Sequence, residues 1–121
     1  MQTVLKSTQN IGFRAEKMAC DFLQSKGLQL KTRNYRCKMG EIDLIMQDAE
    51  EIVFVEVRLR TNADYGDAIE SVDAKKQTKL IHSALDYLQK HRLLDKTNSR
   101  FDVIGFSNGH IHWIRDAFSY D

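Results

Sequence analysis

The feature that most constrains this chain is a pair of alternating segments, residues 41–47 and 52–60, joined by Asp48-Ala49-Glu50-Glu51. Both are rich in aliphatic and β-branched residues, which suit a pleated, half-buried surface. A tight connection between them makes an antiparallel hairpin whose partners follow directly: Ile42 faces Val57, Leu44 faces Val55, and Met46 faces Val53. That side is wholly aliphatic and is expected to be buried. The other side then sets Glu41 against Arg58, Asp43 against Glu56, and Ile45 against Phe54. A one-residue slip would mix the two sets, so the pattern itself specifies the register.

Directly opposed strand residues have Cβ atoms about 4.5–5.5 Å apart. Two carboxylates at ~5 Å repel by about 3 kcal/mol at an effective dielectric near 20. Ile45 and Phe54 beside them add a desolvation cost. Three arrangements relieve the pair: a raised pKa on one carboxyl, a nearby cation such as Arg58, or a bound metal ion. Opposed hard oxygen donors suit Mg²⁺ or Mn²⁺. Neutralisation by Arg58 alone, with a purely structural cluster, is the alternative.

Around the hairpin the chain reads as one α/β domain. Residues 13–24 place Ala15, Met18, Ala19, Phe22 and Leu23 on one helical face, stopped near Gly27. Residues 28–33 form a short strand, and residues 61–71 are a polar loop in which Tyr65 and Gly66 could close over a substrate. A longer helix covers residues 74–91, with Gln77, Ile81, Ala84, Leu85 and Leu88 on one face and Asp73 as its N-cap. Strands at residues 100–106 and 111–114 follow, across the turn Ser107-Asn108-Gly109. The first three strands can form an antiparallel meander, and the helix from Ala74 can cross over to lay the fourth strand parallel to the third. The expected product is a mixed five-stranded sheet flanked by helices. It occupies residues 1–121 as a single domain, with residues 1–10 expected to be flexible.

The 121 residues include no proline and allow one core. No stretch approaches the roughly 20 apolar residues that span a bilayer. The polar N-terminus lacks the apolar run of a signal peptide, so a cytoplasmic protein without a membrane partner is expected. Cys20 and Cys37 have no metal-binding spacing and read as free thiols. The net charge of +1 gives no overall argument for a polyanionic partner. The basic residues are unevenly placed, however: Lys31, Arg33, Arg36 and Lys38 form an acid-free run, and Lys75, Lys76 and Lys79 share one helix. A solvated face explains either group taken alone. His82 and His91 read as helix-surface residues, His110 and His112 as strand polar residues, and Trp113 and Phe118 as packing. Asp102 reads as one half of a strand-edge salt bridge.

Glu41-Ile42-Asp43, with Phe54-Val55-Glu56-Val57-Arg58 behind it, resembles the Asp…Glu-x-Lys signature of restriction-endonuclease-like proteins. With Gly40 in front, and with Arg100-Phe101-Asp102-Val103-Ile104 and Asp116-Ala117-Phe118 behind, the chain is similar to the YraN family of small bacterial proteins, themselves similar to Holliday-junction resolvases. The resemblance runs from about Gly12 to Phe118. It implies that Asp43 and Glu56 are metal ligands together with the backbone carbonyl of Val57, that Glu16 on the first helix is a further acidic residue of the site, and that Arg58 stands at the signature's lysine position. Two departures are visible. The proline that often precedes the aspartate is absent, and arginine, unlike lysine, cannot lose its proton to act as a base.

The function expected from this reading is Mg²⁺- or Mn²⁺-dependent hydrolysis of phosphodiester bonds in nucleic acid, DNA in branched form being one candidate. Asp43 and Glu56 hold the metal, Arg58 stabilises charge on the phosphate, and Lys75 and Lys76 bind flanking phosphates at a helix N-terminus. A homodimer is expected by analogy with resolvases, which cut two symmetric strands. The alternative is a non-catalytic nucleic-acid-binding module that has kept the fold.

Overall fold

A computed structural model describes the backbone of residues 4–60 and 70–120, and the side chains of residues 12–59 and 70–120. The loop residues Tyr65 and Gly66 lie outside these. In chain order the elements are α1 (Val4–Ser25), β1 (Gln29–Cys37), β2 (Gly40–Asp48), β3 (Glu51–Arg60), α2 (Ala74–Lys90), β4 (Ser99–Ser107) and β5 (His110–Phe118). The strands form one sheet in the order β1-β2-β3-β4-β5. The pairings β1–β2, β2–β3 and β4–β5 are antiparallel, and β3–β4, joined through α2, is parallel. This is the mixed five-stranded α/β sheet expected from the sequence.

The helices cover opposite faces. On one face, Ala15, Ala19, Cys20 and Leu23 of α1 pack on Leu44, Met46, Val53, Val55, Ile104 and Phe106. On the other, Leu80, Ala84, Tyr87 and Leu88 of α2 pack on Ile42, Ile45, Phe54, Phe101 and Val103. Fully burying one such aliphatic side chain contributes about 1.5–3 kcal/mol, so each helix is held by its apolar stripe. α1 begins earlier than the expected residue 13, at Val4. Its end is set by Gly27 at φ +99. There Leu28 N–H donates to the Leu23 carbonyl (3.1 Å) and Gly27 N–H to that of Gln24 (3.0 Å), a Schellman closure sealed by the buried pair Leu23 and Leu28. At the start of α2, the Asp73 carboxylate accepts from Lys76 N–H at 2.9 Å, as its N-cap position predicts.

Four expectations need correction. The buried stripe of α2 is Leu80, Ser83, Ala84, Tyr87 and Leu88; Ile81 packs partly buried at its edge, and Gln77 and Leu85 are half-buried outside it. The rings of Tyr35 and Phe54, which meet Tyr87 edge-on, provide the reason. β1 continues past residue 33 to Cys37 and returns through a tight turn at Lys38-Met39, where Cys37 faces Gly40. Gly40 has φ +145, and a Cβ there would lie 3.4 Å from Ser83 Oγ and 3.6 Å from Lys79 Cβ, so this corner approaches α2 closely. β5 extends from His110 to Phe118, with the ring of Phe118 stacked on Phe101 at 4.7 Å.

The fourth correction concerns the hairpin. Leu44 pairs with Val55, Ile45 with Phe54 and Met46 with Val53, as the pattern requires. The ladder ends there and extends neither to Asp43 and Glu56 nor to Ile42 and Val57, and Ile42 packs towards α2, on the opposite face from Leu44. Residues two apart on a regular strand share a face. The alternation is therefore broken at Asp43. No helix among the described residues is long and apolar enough to cross a membrane.

Candidate active site

The break has a counterpart on β1. Arg33, opposite Leu44, carries its guanidinium 4.9 Å from the Phe13 ring of α1, whereas Tyr35, opposite Ile42, packs with the α2 cluster. Between them Asn34 adopts φ +53. This left-handed conformation is one that asparagine tolerates better than most residues. Both strands thus exchange faces at the level of Asn34 and Asp43. Here β2 has left the β3 ladder, and Val57 N–H donates instead to Asp43 Oδ2 at 2.8 Å. A carboxylate stands in for a backbone carbonyl.

Glu56 comes from the regular part of β3, on the face covered by α2. It is only 4% exposed. Its Oε2 lies 3.0 Å from Arg58 Nη2 and 3.4 Å from Lys76 Nζ, at the first turn of α2. Burial pushes the Glu56 carboxyl up to about 8; the Asp43 charge and a hydrogen bond with its side chain act in the same direction, against Lys76 and Arg58. Glu16 is also raised, by burial first and then by Asp43, while the Asn34 side chain and Arg33 oppose the shift. Carboxylates from α1, β2 and β3 therefore gather around Asp43. The two cations on Glu56 do not fully offset the cost of burying it beside a second acid.

This donor set suits a hard divalent cation. All the available side-chain ligands are carboxylate oxygens. Among the described residues no group of three His, Cys, Asp or Glu side chains has the closeness of a complete ligand cage. A metal here would be held by Asp43 and Glu56, a backbone oxygen and water, the open coordination typical of Mg²⁺. The closeness of Asp43 to the buried Glu56, which raises the Glu56 pKa, is the observation that favours such an ion.

Of the residues singled out in the sequence, the fold brings together Asp43, Glu56, Arg58, Lys76 and Glu16, with Val57 bound to Asp43 through its N–H. Lys76 is in direct contact with Glu56, whereas Lys75 is exposed beside it. Glu41 pairs with Arg36 (3.1 Å) and not with Arg58, whose partner is Glu56 on its own strand. Asp102 is no strand-edge residue, because β4 lies between β3 and β5. Its salt bridge is real, to Arg100 at 3.0 Å. Trp113 donates to the same carboxylate at 2.9 Å and packs on Phe22. His110 and His112 have ring centroids 6.5 Å apart, and His112 Nε2 meets Ser107 Oγ at 3.1 Å. Cys20 and Cys37 are free thiols. Arg33 and Asn34 are the site-flanking residues that sequence reasoning missed. Both lay within a run read as generic positive charge; the one available signal was an asparagine inside a strand.

The sequence profile of the family described as "Uncharacterised protein family UPF0102" matches residues 15–106, a span that includes the whole carboxylate cluster. A UPF0102 protein of Coxiella burnetii is 50% identical over 115 residues, covering 94% of this chain and 96% of the relative. One from Nitrosococcus oceani is 48% identical over 111 residues, covering 88% and 90% respectively. A third, from Pseudomonas putida, is 43% identical over 117 residues, covering 93% and 95%. With both the profile and these near-full-length matches in agreement, the chain belongs to the UPF0102 family, also called the YraN family.

Proposed function

We propose that this protein binds nucleic acid and hydrolyses its phosphodiester bonds, using Mg²⁺ or Mn²⁺ held by Asp43, Glu56 and the Val57 carbonyl in a restriction-endonuclease-like arrangement. The observation that carries the proposal is the convergence of Asp43 and Glu56 from neighbouring strands, with Glu56 buried and Arg58 and Lys76 beside it. A bound divalent ion supplies Lewis acidity to the phosphate and lowers the pKa of a coordinated water.

The chain's own residues have separate tasks. Asp43, fixed by Val57 N–H, would be one carboxylate ligand of the ion. Glu56 would be the second, and a bound cation would favour its charged form. Lys76 and Arg58 contact Glu56 in the structure and carry the charge that meets a phosphate. Arg58 keeps its proton throughout, so its part is electrostatic and positional, never that of a base. Glu16 borders the site from α1 and orients water. Lys75, exposed on the first turn of α2, binds a flanking phosphate. The proposed setting is the cytoplasm, with DNA as substrate, branched forms included, and a homodimer as the unit that would cut two symmetric strands.

Labelled duplex, branched and single-stranded DNA incubated with Mg²⁺ or Mn²⁺ provides the test, with wild type beside Asp43→Ala. Metal-dependent cleavage by the wild type alone is the expected result; no cleavage, or equal cleavage by both, defeats the proposal. One observation favours a second reading, a non-catalytic nucleic-acid-binding module. Arg58 replaces a base-competent lysine and already neutralises part of the Glu56 charge. Titration with Mn²⁺ separates the two, because a metal site raises the melting temperature of the wild type and not that of Asp43→Ala, whereas nucleic-acid binding unaffected by metal supports the module.

A further inference from the structure

We propose that Phe13 and Arg33 form a stacking site for an unpaired nucleobase beside the carboxylate cluster, so that the preferred substrate is nucleic acid with a base outside the helical stack. The inference rests on the nucleic-acid reading above and specifies its substrate class. Phe13 lies one helical turn before Glu16 on α1, so the two side chains are neighbours on one face. Phe13 is 57% exposed, and the Arg33 guanidinium carbon lies 4.9 Å from its ring centroid. Among the exposed large apolar side chains of the described residues, only Phe13 has a cation over its ring.

Arg33 connects that ring to the site. It pairs with Leu44, the neighbour of Asp43, and its charge acts on Glu16. Its Nε and Nη2 atoms are buried without any hydrogen-bond partner. Guanidinium groups in folded proteins are normally tied to carboxylates or carbonyls, because orphaned buried donors are costly. Here the group is held by the ring and by the local negative charge, leaving hydrogen-bonding capacity that no protein atom takes. The buried guanidinium backs the ring and marks local positive charge beside the site, and the exposed aromatic side chain fits a base. A base inside a duplex has both faces covered by its neighbours, so only an unpaired or splayed base can reach the ring.

The experiment is fluorescence anisotropy in EDTA at low salt. It compares a labelled, fully paired DNA duplex with the same duplex carrying one unpaired adenine. Stacking on an aromatic side chain contributes about 1–3 kcal/mol per base, so the wild type is expected to favour the bulged duplex by roughly 5- to 150-fold. Phe13→Ala should lose this preference and Phe13→Trp should keep it. Phe13→Leu, which retains apolar bulk without a π-face, should lose it with an unchanged melting temperature. Met18→Ala, at another exposed position of α1, should behave as wild type. Equal binding of the two duplexes by the wild type, or a preference that survives in both Phe13→Ala and Phe13→Leu, overturns the stacking site while leaving nucleic-acid binding intact. Failure to bind either duplex overturns both. A Phe13-dependent preference without metal-dependent cleavage supports the stacking site and rejects only the hydrolytic step.

Discussion

Asp102 and Glu56 are both buried carboxylates on central strands, at adjacent levels of the β3–β4 ladder, yet their surroundings differ in kind. Asp102 is 0% exposed and accepts from Arg100 Nε (3.0 Å), Arg100 Nη2 (3.2 Å), Trp113 Nε1 (2.9 Å) and Asp116 N–H (2.9 Å). Arg100 also reaches Asp48 (3.1 Å) and Glu51 (2.8 Å), tying the β2–β3 turn to β4 and β5. Burial works against the guanidinium's charge, but the surrounding acids outweigh it and raise its pKa. Glu56, by contrast, has two cations on one oxygen and a second acid beside it. Burial alone therefore does not distinguish the two acids. The number and orientation of donors do: a carboxylate whose acceptor positions are filled by the fold has nothing left for a ligand, and one crowded by another acid retains a demand for positive charge.

The sharpest way to break this comparison is to remove each acid in turn. Asp102→Ala removes the acceptor shared by Arg100, Trp113 and Asp116 N–H, while Asp48 and Glu51 still pair with Arg100, and should cost about 2–4 kcal/mol in urea denaturation. Glu56→Gln should cost nothing, or raise the stability of the metal-free protein above neutral pH. Equal losses from the two would erase the distinction.

The next effect is a dependence on pH. The folded protein holds the Glu56 proton more tightly than the unfolded chain does, with a pKa raised from 4.5 to about 8. Its contribution to stability is complete below about pH 4.5 and is lost as the pH rises through about 8. The melting temperature of metal-free wild type should fall across that window more steeply than that of Glu56→Gln; parallel profiles would contradict the assignment. A smaller change is expected from Lys76→Met. It removes one of the two cations that pull the Glu56 pKa down, so the midpoint seen by carboxyl NMR should move to higher pH. An unmoved midpoint would mean that the contact is without electrostatic effect. Least of all, Asp21→Ala breaks the exposed Lys17–Asp21 pair (3.1 Å) and should change stability by about 0.5 kcal/mol or less.

What the sequence made legible was local. The pairing of Leu44 with Val55, the Asp73 cap and the Gly27 helix end depend on residues close together in the chain, where alternation and capping chemistry leave few choices. The proximity of Asp43 and Glu56 was legible because a short hairpin links them, although the ladder ends at Leu44–Val55 and does not pair them directly. The Lys76–Glu56 contact depended on how α2 docks after its crossover, and the Arg100 hub on three strands meeting at one turn. Ile42 was misplaced because alternation was carried through Asp43, where a single left-handed asparagine on the partner strand reverses it.

The bond from Val57 N–H to Asp43 Oδ2 makes that aspartate a structural splice as well as a candidate ligand. Truncating it to alanine removes two things at once, a charge and the acceptor that caps an orphaned strand amide. Asparagine preserves the acceptor while deleting the charge. A variant pair, Asp43→Asn beside Asp43→Ala, would thus tell a lost reaction from a loosened strand.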